Sequence, residues 1–276
     1  MIKSRRLAFI ISALGSLLAG CSQSATEKTP DLLVTNNRTK DDMVIVFVPK
    51  ADFKLSERGR WGDGNHFVSL DSFWIDRTEI TNSQYKKCVD AGDCIPLNTC
   101  SWGDPTYSDS SFLDHPAVCV SWGMASTYCQ WVGGRLPSEA EWDFAARGPK
   151  RYNYTWGNKF EPEGLNYCDV NCSKSDSSYN DGYETSAPVG TYPGGMSWCG
   201  ALDMNGNVWE WVFDWYAPYT SDTQENPMGP PTGTEKVLRG GSWYDLPDFL
   251  KADHRHPFDP DDNNHLVGFR CVVPIP

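Results

Sequence analysis

Apolar and polar side chains alternate most clearly near the two ends of residues 43–276. "MVIVFVP" at 43–49 and "HLVGFRCVV" at 265–273 predict strands, placed to pair with each other. Helices are signalled by their caps. Thr81 can cap a short helix running through about Cys88, and Ser121 can cap "WGMASTYCQWVGG", which stops at Gly133 and Gly134. Ser138 and Glu141 form a capping box that opens "EAEWDFAARG", with Pro137 just ahead and Gly148 closing it. From Gly148 to Val237 the pattern reads mostly as loop, and so long a loop inside one domain needs bound metal or disulfides to hold it. Within it, "DMNGNVWEW" at 203–211 places a tight turn at Asn205 and Gly206 before a strand-like alternation. That alternation sends Glu210 to one face and both Trp209 and Trp211 to the other.

The first residues carry a different signal. Lys3, Arg5 and Arg6 precede an apolar run from Leu7 to Leu18 and the sequence "LAGC" ending at Cys21, the pattern of a bacterial lipoprotein signal cleaved before an acylated cysteine. No other apolar run approaches the roughly 18 residues a spanning helix needs, so the expectation is a soluble domain held to a membrane through lipid on Cys21. Ser22 at the following position favours the outer membrane of a Gram-negative envelope. Residues 1–20 are then the signal peptide, 21–42 a lipidated cysteine with a polar, flexible tether, and 43–276 one domain. Loss of Lys3, Arg5 and Arg6 takes the formal net charge from −12 to −15. A chain so acidic lacks an electrostatic footprint for nucleic acid and favours cations as small partners.

Cys88, Cys94, Cys100, Cys119, Cys129, Cys168, Cys172, Cys199 and Cys271 are dense enough for an exported, disulfide-stapled protein. The alternative is a zinc site built on Cys168 and Cys172 with Cys94 and Cys100 nearby. Nine is odd, so one thiol is expected to be free or paired with another molecule.

Six stretches, taken in order, resemble the formylglycine-generating enzyme family, also called the sulfatase-modifying factor domain. They are "DRTEITNSQY" at 76–85, "HPAVCVSWGMASTYCQW" at 115–131, "RLPSEAEWDFAARG" at 135–148, "ALDMNGNVWEWVFDWY" at 201–216, "LRGGSW" at 238–243 and "GFRCV" at 268–272. The resemblance covers nearly all of residues 43–276 and implies an α+β fold, a C-type-lectin-like variant with little regular secondary structure, often stabilised by calcium. It implies one calcium site from the Asp203 and Glu210 side chains and the Gly206 and Val208 carbonyls, with Glu79 reaching in. A second would use Asn166, the Tyr167 carbonyl, Asp181 and the Tyr183 carbonyl. Carboxylate and carbonyl oxygens suit calcium. On the residues alone, Glu210 could instead accept bonds from backbone amides of the turn. The resemblance also implies a Cys129 to Cys271 disulfide, while Ala145 and a residue near Ala252 stand where a second family disulfide would be.

Members of that family that oxidise a substrate cysteine to formylglycine hold copper(I) between two cysteines, three and eight residues beyond the position of Ser242. Those positions are Asp245 and Leu250 here, and neither offers the soft thiolate copper(I) prefers. Other constellations could restore chemistry. His254 and His256, with His265, could hold iron; Asp259 to Asn264 could hold a cation; Asp245 and Asp248 could act as a carboxylate pair. Two functions follow. One is a lipid-anchored, calcium-stabilised binding or assembly module for an exported protein or peptide, with a groove rimmed by Ser242, Trp243, Tyr244, Asp245 and Arg255. The other is a formylglycine-generating or related oxidase with an atypical site. Thiols of Cys88 to Cys119 near Ser242 would favour the enzyme, and disulfides far from it the module.

Overall fold

A computed structural model of the protein describes residues 33–56, 65–175 and 177–275, so the expected signal peptide, Cys21 and most of the expected tether lie outside the described residues. Along the chain run β1 (Thr35–Arg38), β2 (Met43–Val48), β3 (Ala51–Ser56), β4 (Asn65–Leu70), β5 (Phe73–Asp76), α1 (Asn82–Ala91), α2 (Trp122–Trp131), α3 (Glu139–Arg147), β6 (Trp209–Trp215), β7 (Gln224–Glu225), β8 (Lys236–Arg239), β9 (His256–Phe258), β10 (Val267–Phe269) and β11 (Val272–Pro274). Three small sheets result, ordered β1-β2-β5-β11, β10-β6-β8-β9 and β3-β4-β7. The architecture is α+β with little regular structure. Helices start where the caps place them, Thr81 and Ser138 each closing a capping box and Ser121 accepting the Met124 amide.

Two terminal expectations need correction. The strands at the two ends share a sheet without pairing, because β5 lies between β2 and β11 and bonds both. "HLVGFRCVV" is not one strand: it divides into β10, parallel to β6, and β11, antiparallel to β5. Arg270 and Cys271 sit at the division, both buried, the first turned into an ion pair and the second bonded to Cys129. Periodicity alone could not register a change of sheet, since the apolar spacing continues across it.

The tether boundary also moves. β1 pairs with β2 from Thr35 onward, and Arg38 is buried against Asp41 and Asp76, donating from Nη1 to Asp76 at 2.6 Å and from Nε to Asp41 at 2.9 Å. Folded chain therefore starts ahead of Met43; an edge strand bonded through its backbone needs no apolar pattern, which hid it.

The core has two main clusters. Val46, Ile75, Trp142 and Val212 fill one, and Tyr85, Tyr128, Trp211 and Phe269 fill the other. Disulfides Cys88–Cys94, Cys100–Cys119, Cys129–Cys271 and Cys168–Cys172 pair eight of the cysteines, and buried Cys199 is the free one among the described residues. Cys168 and Cys172 are thus bonded to each other, which removes the thiolates a zinc site would need. No helix among the described residues is long and apolar enough to cross a membrane.

Candidate functional site

Glu210 answers the question its flanking tryptophans raise. Trp209 and Trp211 pack into the cluster of Tyr85 and Phe269, while Glu210 turns to the opposite face of β6, toward Trp142. There it is fully buried and takes both arms of Arg270, from Nε at 2.7 Å and Nη2 at 2.7 Å, plus the Trp142 indole N–H at 2.8 Å. Its partners are side chains, not amides of the turn. A carboxylate this deep is tolerable because a bidentate guanidinium compensates its desolvation.

Beside this pair the charges no longer balance. Glu79 is fully buried and neither carboxylate oxygen has a hydrogen-bonding partner. Its pKa is driven well above the ordinary carboxylate range, first by burial and then by the charges of Asp203 and Glu210, with Arg270 opposing. Asp203 is pushed up to about 6, again mainly by burial, although the Gly190 N–H donates to it at 2.6 Å. Three carboxylates thus share one guanidinium, and an orphaned buried carboxylate is the feature a hard cation would relieve. Gly206 has φ +79°, and a Cβ there would lie 2.1 Å from the Asn166 carbonyl oxygen. Only glycine permits that approach, which joins the two loops carrying the candidate ligand sets.

In the second set, the Asn166 side chain donates to the Thr185 carbonyl at 2.9 Å while its own Oδ1 is buried and unpartnered. Asp181 accepts the backbone N–H groups of Tyr167 and Tyr183 at 3.0 and 2.9 Å, and burial raises its pKa to about 6. Among the described residues no group of three or more His, Cys, Asp or Glu is arranged to hold a metal. A calcium ion at either place would draw its remaining ligands from carbonyls, including those of Gly206 and Val208 or of Tyr167 and Tyr183.

The groove starts where the Trp243 amide donates to the Asn207 carbonyl at 2.8 Å, tying it to the Asp203–Glu210 loop. Ser242 is buried, and Asp245 accepts from both its hydroxyl and its amide. Leu250 is fully buried among Tyr154, Leu165 and Tyr167. The two positions therefore do different structural work: one carboxylate closes a turn, one aliphatic side chain fills a core. Arg255 is not at this rim. It is buried elsewhere, with Nε and Nη2 on Glu139 at 2.6 and 2.8 Å and its plane over the Tyr219 ring at 4.1 Å.

The whole of residues 29–275 matches the model of the sulfatase-modifying factor enzyme 1-like domain. The chain is similar to a formylglycine-generating enzyme of Streptomyces coelicolor, 38% identical over 82% of this chain and 88% of that one. It is 30% identical to the formylglycine-generating enzyme of Bos taurus, covering 75% of this chain and 67% of the other. The chain belongs to the formylglycine-generating enzyme family. A Bos taurus relative named an inactive Cα-formylglycine-generating enzyme 2 is 37% identical over 64% of this chain and 58% of its own length. Among solved structures, Treponema denticola variable protein 1 superposes with a TM-score of 0.69 at 20% identity, over 88% of this chain and 99% of the other, which speaks to fold alone.

Set in this family, the histidines separate. His254 and His256 both lie against the Trp209 ring, at 5.9 and 5.2 Å between centroids, and burial, with His256 next to it, lowers the His254 pKa to about 4. His265 packs instead on Trp102 and Trp243, at 4.6 and 5.2 Å. Trp102, 47% exposed, is the groove residue that sequence reasoning missed. It sits 5.6 Å from the Tyr244 ring, and a cleft of about 260 Å³ opens beside Trp243 and His265, lined also by Asp104, Thr106 and Phe112. Cys100 and Cys119 are disulfide-bonded, and they pack against Trp243 instead of lying far from the groove.

Proposed function

We propose that the protein is an exported, lipid-anchored member of this family that works as a calcium-stabilised binding or assembly module and not as a copper oxidase. The observation that carries the reading is the pair Asp245 and Leu250. Copper(I) needs two soft donors in near-linear array. One position here is a carboxylate committed to Ser242, and the other is an alkyl group committed to a core. Cys100 and Cys119 are joined to each other, and Cys168 and Cys172 likewise, so neither pair presents free thiols. These side chains therefore offer copper(I) no pair of soft donors.

The same region supports binding. Trp102, Trp243, Tyr244 and His265 form an aromatic platform beside Asp104 and Asp109, suited to a segment of exported protein or peptide that offers apolar and basic side chains. Calcium would be held by Glu79, Asp203 and the neighbouring carbonyls, with Asn166 and Asp181 in the second loop, and its role there is to fix loops that carry the platform. The test is anaerobic copper(I) titration of the natural protein and of the double variant Asp245→Cys, Leu250→Cys. Affinity rising at least tenfold in the variant, with only nonspecific uptake by the natural protein, is the expected result. Tight one-to-one copper binding by the natural protein would overturn the reading.

A further inference from the structure

A second cavity, of about 250 Å³, lies between β4, α3 and the segment following β6, and shares no lining residue with the Trp243 cleft. Its wall is mostly apolar, from Leu55, Ala140, Trp215, Pro227 and Pro230. Polar groups interrupt that wall, and besides Glu139, Arg255, Thr220 and Gln224 they include His66, Tyr219 and Asp214. His66 is 5% exposed, and neither ring nitrogen makes a hydrogen bond of good geometry, although the Gln224 side chain on the same wall is close enough to interact with it. The Tyr219 hydroxyl is buried and unpartnered, its ring in edge contact with His66 at 4.9 Å. Asp214 receives the Glu139 amide on one oxygen at 2.8 Å. Buried polar groups are nearly always satisfied, so the unmade bonds of the Tyr219 hydroxyl and the His66 ring beside one cavity point to a ligand that makes them.

Their chemistry selects the ligand. Burial lowers the His66 pKa, so the ring is neutral and offers one donor and one acceptor. Tyr219 adds a donor, and Asp214, held protonated up to about pH 7 by burial, adds an uncharged group that can give or take a hydrogen bond. An anion would find no available cation, because Arg255 is bound to Glu139 through two nitrogens and to the Ala217 carbonyl through the third. A cation would face the His66 and Tyr219 donors. A ligand whose groups both donate and accept, on a body with an apolar face, meets all the requirements. The volume falls below the roughly 300 Å³ at which drug-sized sites begin, so it takes one ring and not a chain of them.

We propose that this cavity binds a neutral hydroxylated ring the size of a single sugar residue, its apolar face against Trp215 and its hydroxyls on His66, Tyr219 and Asp214. No metal is involved, and the proposal is independent of the groove. Saturation-transfer NMR would be run on the natural protein with methyl α-D-glucopyranoside, methyl α-D-galactopyranoside and N-acetyl-D-glucosamine, with butylammonium and acetate as the charged probes. At least one sugar should give a saturable signal that falls fivefold or more in Tyr219→Phe and His66→Leu, with neither charged probe binding as well. Thermal melting separates ligand from fold. Removing an unpartnered hydroxyl should leave the Tyr219→Phe melting temperature unchanged or higher, and should His66→Leu fail to fold, Tyr219→Phe alone decides. No signal from any sugar, a stronger signal from butylammonium or acetate, or a signal unchanged in the variants would each overturn the proposal. So would a lowered melting temperature in Tyr219→Phe, which would mean that the hydroxyl serves the fold.

Discussion

Single residues in this molecule carry charge into places that water does not reach, and each such placement has a measurable consequence. Asp214 is one. Burial, followed by the charge of Glu139, pushes its pKa up to about 7 from an ordinary 3.8. Between those values the folded protein holds a proton that the unfolded chain has released, so stability declines as pH rises from about 4 to about 7. Asp214→Asn keeps an oxygen for the Glu139 amide and removes the titration. Urea unfolding across that range should then show a flatter profile for the variant, by a slope of up to about 1.4 kcal/mol per pH unit. Identical slopes would mean that Asp214 is ionised throughout. Glu210 teaches a related lesson about what a sequence discloses. Its facing direction was legible from the alternation with Trp209 and Trp211, but its partner was not. Arg270 lies 60 residues away, at the junction of two strands whose separation the apolar pattern conceals.

At the scale of elements, the helices were the readable part, because Thr81, Ser121 and Ser138 cap locally and leave their mark within four residues. Sheet order was not readable, since β5 enters between the terminal strands through contacts that no local pattern encodes. Arg255 was misplaced for the same reason: its guanidinium is directed to Glu139 on α3, a contact that no local pattern encodes. The loops from Asn166 to Glu210 have almost no regular ladder; among their described residues only a short 3-10 turn at Pro193–Gly195 precedes β6. What holds them is a set of side-chain bonds, the Cys168–Cys172 disulfide and, under the proposed function, calcium bound at Glu79 and Asp203 and at Asn166 and Asp181. A ligand bound only by the native state stabilises it by mass action. Limited proteolysis with and without chelator should cut between residues 166 and 210 earlier in the calcium-free protein, before β2, β5 and β11 open. Equal cleavage in both conditions would count against either site.

For the molecule as a whole, the family and the fold were legible because six motifs recur in order, and function was less so because the informative positions are departures. The proposed attachment through Cys21 is open to a direct test: Cys21→Ser, expressed in a Gram-negative host, should move the protein from the membrane fraction to the soluble fraction of the envelope. An unchanged distribution would remove the lipid anchor from the account. The central claim concerns Asp245 and Leu250, which put a turn-closing carboxylate and a core aliphatic where soft ligands would be required. It is tested most directly by incubating the purified natural protein with copper(I), oxygen and a sulfatase-type cysteine peptide, and following the peptide by mass spectrometry for the aldehyde. The account predicts no aldehyde above that of a protein-free control, with the peptide thiol lost only to the disulfide that copper and oxygen form without the protein. Conversion of the peptide to formylglycine at a rate proportional to protein concentration would contradict it and make the chain an oxidase with an unorthodox centre.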